Sequence, residues 1–250
     1  MTEESASGDV RESGRPWQRL SRDYERARAR EDSLDRLVEW PAQRELLGDV
    51  TGMSILDVGC GNGEKLVELA NDGARACIGV DLAADFVNSP SDVKFVQGDL
   101  SDLNAIAAIR ERAFDRILFL QSFGYAADPV ATLVAARQML TEDGFIVLSR
   151  TNPVRFAVER AEANGSSLGE EYYASGNYSY ASGWNDEVTL THRNYTVADL
   201  LNQFSEAGLR VERAAEPYIS DDEGRRFPHK RDWMNRYLGI FVFKLRPVDS

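Results

Sequence analysis

Ile55-Leu56-Asp57-Val58-Gly59-Cys60-Gly61-Asn62-Gly63 reads as a short apolar strand that carries an acid near its end and breaks into three alternating glycines. Glycine at such a break lets the backbone turn sharply, and lets a bulky ligand approach main-chain atoms that any Cβ would shield. Further on, Cys77–Val80 forms a second apolar run that ends in Asp81. An acid at that place can take both hydroxyls of a ribose. The two strands together predict a nucleoside-binding α/β fold.

Strand and helix signals alternate on both sides of this stretch. The first strand, Ser54–Val58, leads into a helix with Leu66, Leu69 and Ala70 inward, which Gly73 stops. Strands follow at Arg75–Val80 and Val93–Gln97, then a helix capped by Ser101 with Leu103, Ile106 and Ala107 on its buried side. Arg116–Leu120 is the fourth strand. Asp128-Pro129 supplies the cap and first position of a helix that buries Val130, Leu133 and Val134. Thr141-Glu142-Asp143-Gly144 then turns the chain into Phe145–Ser149. The rhythm breaks at Thr151 and returns near Tyr195. Thr196-Val197-Ala198-Asp199 is a capping box for a helix with Leu200, Leu201 and Phe204 inward, and Gly208 ends it. Leu209–Arg213 is the sixth strand and Leu238–Leu245 the seventh, set antiparallel beside it across a polar loop. Five strands alternating with helices demand a mostly parallel, doubly wound α/β sheet.

The same reading divides the 250 residues into the parts of one domain. Residues 1–14 are Ser-, Glu- and Gly-rich and are expected to be a disordered tail. Residues 15–50 form an N-terminal helical cap, with Leu34, Leu37 and Val38 on one face and Pro41 starting a second helix. Residues 51–150 are the ligand-binding core, 151–195 an aromatic-rich insertion, and 196–250 the rest of the sheet.

A net charge of −12, with no basic stripe to offset it, argues against a nucleic-acid partner. Two cysteines on different elements predict neither a disulfide nor a metal site. With no signal-peptide core and no bilayer-length apolar run, the expectation is a reduced, cytoplasmic protein away from membranes. Composition does not speak to its oligomeric state.

Glycine spacing separates the cofactors such a fold can hold. A nicotinamide turn reads G-x-G-x-x-G, and its helix N-terminus meets a pyrophosphate. Here Gly59, Gly61 and Gly63 make G-x-G-x-G with Glu64 next, and that carboxylate would repel a pyrophosphate. The pattern closely resembles the first motif of the class I S-adenosylmethionine-dependent methyltransferases. The likeness covers residues 50–150 strongly and 195–245 loosely, and implies a seven-stranded Rossmann-like sheet with S-adenosylmethionine as cofactor. By that resemblance Asp57, Gly59, Cys60, Gly61, Asn62 and Gly63 hold the methionine end. Asp81, with Leu82, takes the ribose. Gly98, Asp99 and Leu100 take the adenine, and Gln121 and Ser122 line the sulfonium side.

Small-molecule methyltransferases of this class commonly cover the acceptor with segments outside the core. Here those segments supply Trp17, Tyr24, Trp184 and His192, with Tyr125 after the fourth strand, as expected substrate contacts. His192 is the candidate general base, because an unperturbed imidazole titrates near neutral pH. His229 follows a polar loop and reads as a surface residue. The activity implied is methyl transfer to an O or N atom of a small molecule, and an arginine- and alanine-rich composition points by association to specialised metabolism. A non-catalytic S-adenosylmethionine-binding module is the alternative. A nicotinamide oxidoreductase fits only the shared fold.

Overall fold

The computed structural model describes residues 14–83 and 85–248. The tail expected over residues 1–14 lies outside them, apart from Gly14. Helix α1 (Gly14–Arg28) comes first, followed by a π-wound turn, Asp35–Glu39, that runs directly into α2 (Trp40–Leu47). Pro41 accounts for the wide turn. It has no N–H for the carbonyl four residues back, and the Trp40 N–H before it reaches instead to the Asp35 carbonyl. Pro41 therefore opens the α-wound part of a continuous helix rather than a separate one. Leu34, Leu37 and Val38 share a face as expected, packed on Ile219, Trp233 and Met234.

Strands β1 (Ser54–Val58), β2 (Ala76–Asp81), β3 (Val93–Gln97), β4 (Phe114–Leu120) and β5 (Leu140–Thr151) form the parallel part of the sheet. Helix α3 (Glu64–Asn71) follows β1 and α4 (Pro129–Gln138) follows β4, with the Asp128 carboxylate accepting from Ala131 N at 3.0 Å. No full helix follows β3. Asp99, not Ser101, caps a short 3₁₀ stretch, Leu100–Ala105, and Asp102 at φ −137°, ψ 57° prevents a regular helix. The turn expected at Thr141–Gly144 is a bulge inside β5. Leu140 pairs with Phe114, and pairing resumes at Phe145 opposite Arg116.

The insertion contains α5 (Pro153–Asn164), α6 (Leu168–Tyr173) and the antiparallel pair β6 (Asn177–Ala181) and β7 (Thr189–Arg193). After it come α7 (Val197–Glu206), with both bonds of its Thr196–Asp199 capping box, and β8 (Leu209–Ala215). Leu200 and Phe204, four residues apart, are buried on α7. Leu201 is exposed, because one helical step turns it off that face. The loop expected before the last strand holds α8 (Asp221–Arg226) and α9 (Pro228–Tyr237), and β9 (Ile240–Pro247) completes the sheet. Strand order is β3-β2-β1-β4-β5-β9-β8, with β9 antiparallel to both neighbours.

Successive strand residues point to opposite faces, and the core divides accordingly. Leu56, Val58, Ile117, Phe119, Ile146 and Leu148 pack with Leu133 of α4 and Phe204 of α7. Ile55, Leu118, Phe145 and Val147 pack with Leu47 of α2 and Leu66 and Leu69 of α3. Helices thus cover both faces, leaving the carboxyl ends of β1, β2 and β4 to shape one crevice. Among the described residues no helix is long and apolar enough to cross a membrane.

Candidate functional site

The glycine turn after β1 is built from left-handed residues, with φ of +77°, +58° and +87° at Gly59, Gly61 and Gly63. Gly59 N donates to Val80 O at 2.7 Å, which ties the turn to the end of β2. A Cβ on Gly59 would lie 2.2 Å from Ser122 Cβ, so the β1 turn meets the Ser122 side chain after β4 with bare backbone. A Cβ on Gly61 would meet only a Glu25 carboxylate oxygen, 3.9 Å away, and otherwise open space. Asp81 braces the loop from β2. One of its oxygens accepts from Gly61 N and the other from Ala83 N, both at 2.8 Å.

These elements enclose a cavity of about 130 Å³. Of the residues expected to hold the cofactor, Gly59, Gly61, Asn62, Asp81, Leu82, Gly98, Leu100, Gln121 and Ser122 line it, and α1 adds Trp17, Ser21, Tyr24 and Glu25. Asp57, Cys60, Gly63 and Asp99 do not line it. Gly63 packs on the Phe95 ring. Burial pushes the half-buried Cys60 thiol up. Asp99 spends one oxygen on Ser101 N, at 2.8 Å, capping its own turn between the two lining residues Gly98 and Leu100.

Asp57 is 2 % exposed and its Oδ1 has no hydrogen-bond partner. Burial pushes its carboxyl up to about 7, the nearby Asp81 charge adding to that and Lys65 and Arg28 opposing it. A carboxyl with a folded-state pKa above its unfolded one stabilises the fold at low pH and loses that contribution as pH rises through the folded value. For Asp57 the window runs from 3.8 to about 7. Asp57→Asn should therefore raise the melting temperature of the ligand-free protein at pH 8, with the gain shrinking by pH 4. Thermal melts at the two pH values check this, and an equal shift at both would show that Asp57 carries no buried charge.

A second, larger cavity of about 660 Å³ shares Trp17, Tyr24, Gln121 and Tyr125 with the first. The expected acceptor residues Trp17, Tyr24, Tyr125, Trp184 and His192 all line it. The rings interlock, with Trp17 5.3 Å from Tyr24 and Tyr24 4.8 Å from Trp184, centroid to centroid. His192 Nε2 lies 2.9 Å from Tyr125 Oη and 3.1 Å from Tyr180 Oη. Burial, followed by the Arg150 and Arg155 charges, pushes its imidazole down to about 3. So weak a base is poorly matched to taking a proton at neutral pH. In this arrangement His192 ties the β6–β7 pair to the residues after β4. His192→Phe should cost about 0.5–1.5 kcal/mol of unfolding free energy by removing a hydrogen-bond partner from two half-buried hydroxyls. Urea denaturation measures it, and no measurable loss would mean that the tyrosines find other partners. His229 is 60 % exposed at the rim, with Nε2 3.1 Å from an Asp32 oxygen.

Sequence reasoning missed Glu39. It lines the larger cavity beside the Gln121 side chain. Gln121 is itself unusual, a non-glycine residue at φ +63° on the shared wall of the two cavities. Its backbone N–H donates to Ser149 Oγ at 3.1 Å, and Ser149 Oγ accepts from Gln43 Nε2 at 2.9 Å. Lys65 of α3 joins Gln43, at 3.2 Å, to Asp35, at 2.6 Å. Asp35 meets Arg28 at 3.3 Å, and Arg28 meets Glu25 at 3.1 Å. The N-terminal helices are thus joined by a continuous polar chain to the glycine turn's helix and to the end of β4.

A family model described as "Methyltransferase domain" matches residues 22–214. An uncharacterized protein of Haemophilus influenzae is 25% identical over 213 residues, which cover 79% of this chain and 83% of that one. The tRNA U34 carboxymethyltransferase of Aliivibrio salmonicida is 28% identical over 117 residues, covering 44% of this chain and 36% of that one. Among solved structures, an S-adenosylmethionine dependent methyltransferase from Mesorhizobium loti superposes with a TM-score of 0.65 at 19% identity, over 83% of this chain and 97% of that one.

Proposed function

The chain belongs to the methyltransferase-domain family and has the class I S-adenosylmethionine-dependent methyltransferase fold, and on that premise we propose that it methylates an O or N atom of a small molecule. S-adenosylmethionine is the cofactor that the residues of the smaller cavity suit. Both Asp81 oxygens, already oriented by backbone N–H groups, keep a lone pair each for the ribose hydroxyls. Gly98 and Leu100 offer main chain to the adenine, with Asp99 between them. The open face of Gly61 receives the methionine end, and the unpartnered Asp57 oxygen beneath the turn suits its ammonium. When bound, the cofactor supplies a sulfonium methyl that any nucleophile in line behind it can take.

One observation carries the reading: the two cavities meet at Gln121 and Tyr125, so a second molecule can lie directly beside the cofactor. The chain's own residues do the rest. Trp17 and Tyr24 of α1 and Trp184 of the insertion roof the acceptor and exclude water, which makes these segments the lid. A net charge of −12 disfavours tRNA, and the tRNA-modifying relative matches this chain over only 117 residues. Cys60 and Cys77 are both free, in keeping with a reducing, cytoplasmic setting.

Calorimetric titration with S-adenosylhomocysteine, with NADH in parallel, tests the cofactor. Tight binding of the first alone is expected, and binding of NADH alone would sink the proposal. A loaded protein that releases no S-adenosylhomocysteine with any small acceptor would favour a non-catalytic binding module.

A further inference from the structure

The larger cavity contains one acid that stands apart from the others. Asp32 is held by Arg30 at 2.8 Å and by His229 at 3.1 Å, and Asp35 by Lys65 at 2.6 Å and Arg28 at 3.3 Å. Glu39 lines the same space, yet among the described residues no cation lies within ion-pair distance of it. Its nearest polar neighbour in the cavity wall is the neutral side chain of Gln121. Lys65 and Arg155 act on it only through longer-range attraction, and Asp35 opposes them. Burial, followed by the Asp35 charge, pushes the Glu39 carboxyl above the usual carboxylate range, and a positive charge brought beside it would relieve that cost.

Its position is specific. Gln121 stands on the wall common to both cavities, so a group against Glu39 sits beside the place where the methyl would be presented. The same cavity has aromatic lining. Tyr24 and Trp17 approach from α1 and Trp184 from the insertion, with Tyr24 and Trp184 centroids 4.8 Å apart. Aromatic rings beside a carboxylate favour a cation. Finally, Glu39 and Asp35 close the two ends of the π-wound turn, a geometry that recurs at functional sites.

We propose that the acceptor is an amine, held as its ammonium between the Glu39 carboxylate and these aromatic faces. This rests on the methyl-transfer reading above. The Glu39 carboxylate takes one proton from the ammonium, and the freed nitrogen lone pair forms the new C–N bond as the C–S bond breaks. The bonding pair stays on sulfur, the product leaves as a methylated ammonium, and Glu39 returns its proton to solvent. The cations that line the cavity already have carboxylate partners: Arg28 has Glu25 and Asp35, Arg30 and Lys230 have Asp32, and Arg155 has Glu159.

The test is a second calorimetric titration of the S-adenosylhomocysteine-loaded protein with 2-phenylethylamine, 2-phenylethanol and phenylacetate, three probes that differ mainly in charge. The amine should bind at least about tenfold more tightly than the alcohol, the scale of one charge-assisted contact, and phenylacetate should bind weakest. Glu39→Gln should bring amine and alcohol to within about threefold while S-adenosylhomocysteine still binds. Wild type alone can overturn the proposal, by binding the alcohol or acid as well as the amine, or by giving no amine heat when loaded. A Glu39→Gln protein that keeps the preference overturns it too. Absence of S-adenosylhomocysteine binding would instead defeat the methyl-transfer reading. The amine ranking, repeated without that ligand, still decides for or against Glu39.

Discussion

Gly61→Val is expected to abolish S-adenosylhomocysteine binding, a loss of about 1,000-fold or more, in a protein that still folds. Gly61 lines the cofactor cavity, and a side chain there grows into space that the ligand would fill. The fold pays only for a branched residue at φ +58°, about 1–3 kcal/mol. Gly59→Ala makes the informative contrast. Its methyl would lie 2.2 Å from Ser122 Cβ, so the β1 and β4 turns must separate and the protein itself should fail. Circular dichroism melts beside ligand titration distinguish the two. A Gly61→Val protein that binds normally would mean the cavity is not the cofactor site.

Asp81→Ala is expected to weaken S-adenosylhomocysteine by about 10- to 150-fold, corresponding to about 1.5–3 kcal/mol for buried hydrogen bonds to a charged acceptor. Two effects combine. The ribose loses its acceptor, and Gly61 N and Ala83 N lose the carboxylate that sets the loop. Burial already holds the Asp81 carboxyl above the usual range, so paired donors matter to it. Titration of the variant at pH 7.5 reads the effect. Unchanged affinity would move the ribose elsewhere in the crevice.

The glycine turn, Asp81 and the parallel strands were legible because each depends on local chemistry: a left-handed backbone, an acid at a strand end, a buried apolar run. Even the α7 capping box could be read residue by residue. Leu201 was misplaced by treating three apolar residues as one face, when the helical step separates Leu200 from its neighbour. The helices α6 and α8 were overlooked for the opposite reason. They bury almost no apolar surface, and their signal lay only in the caps, Ser167 with Glu170 and Ser220 with Glu223. The 3₁₀ stretch after β3 was overcalled from its apolar spacing, since nothing in Leu103 or Ile106 reveals the kink at Asp102. Glu39 was invisible because its role comes from a contact with Gln121, more than eighty residues away in sequence. Pro41 inside a helical pattern was the one local clue. His192 lines the larger cavity with the other aromatic residues, but its basicity is set by burial and two arginines that composition does not bring together.

The polar chain from Glu25 to Gln121 shapes how this protein will respond to random mutation. Ser149 and Gln43 line neither cavity, yet both sit between the cap and the residue on the cavities' shared wall. Damage at these links would register as poor catalysis in a selection, although no ligand touches them. A map of intolerant positions would therefore not trace the outline of the binding cavities. It would run back through α2 and into α1, so that a segment distant in sequence from the glycine motif shares its genetic fate.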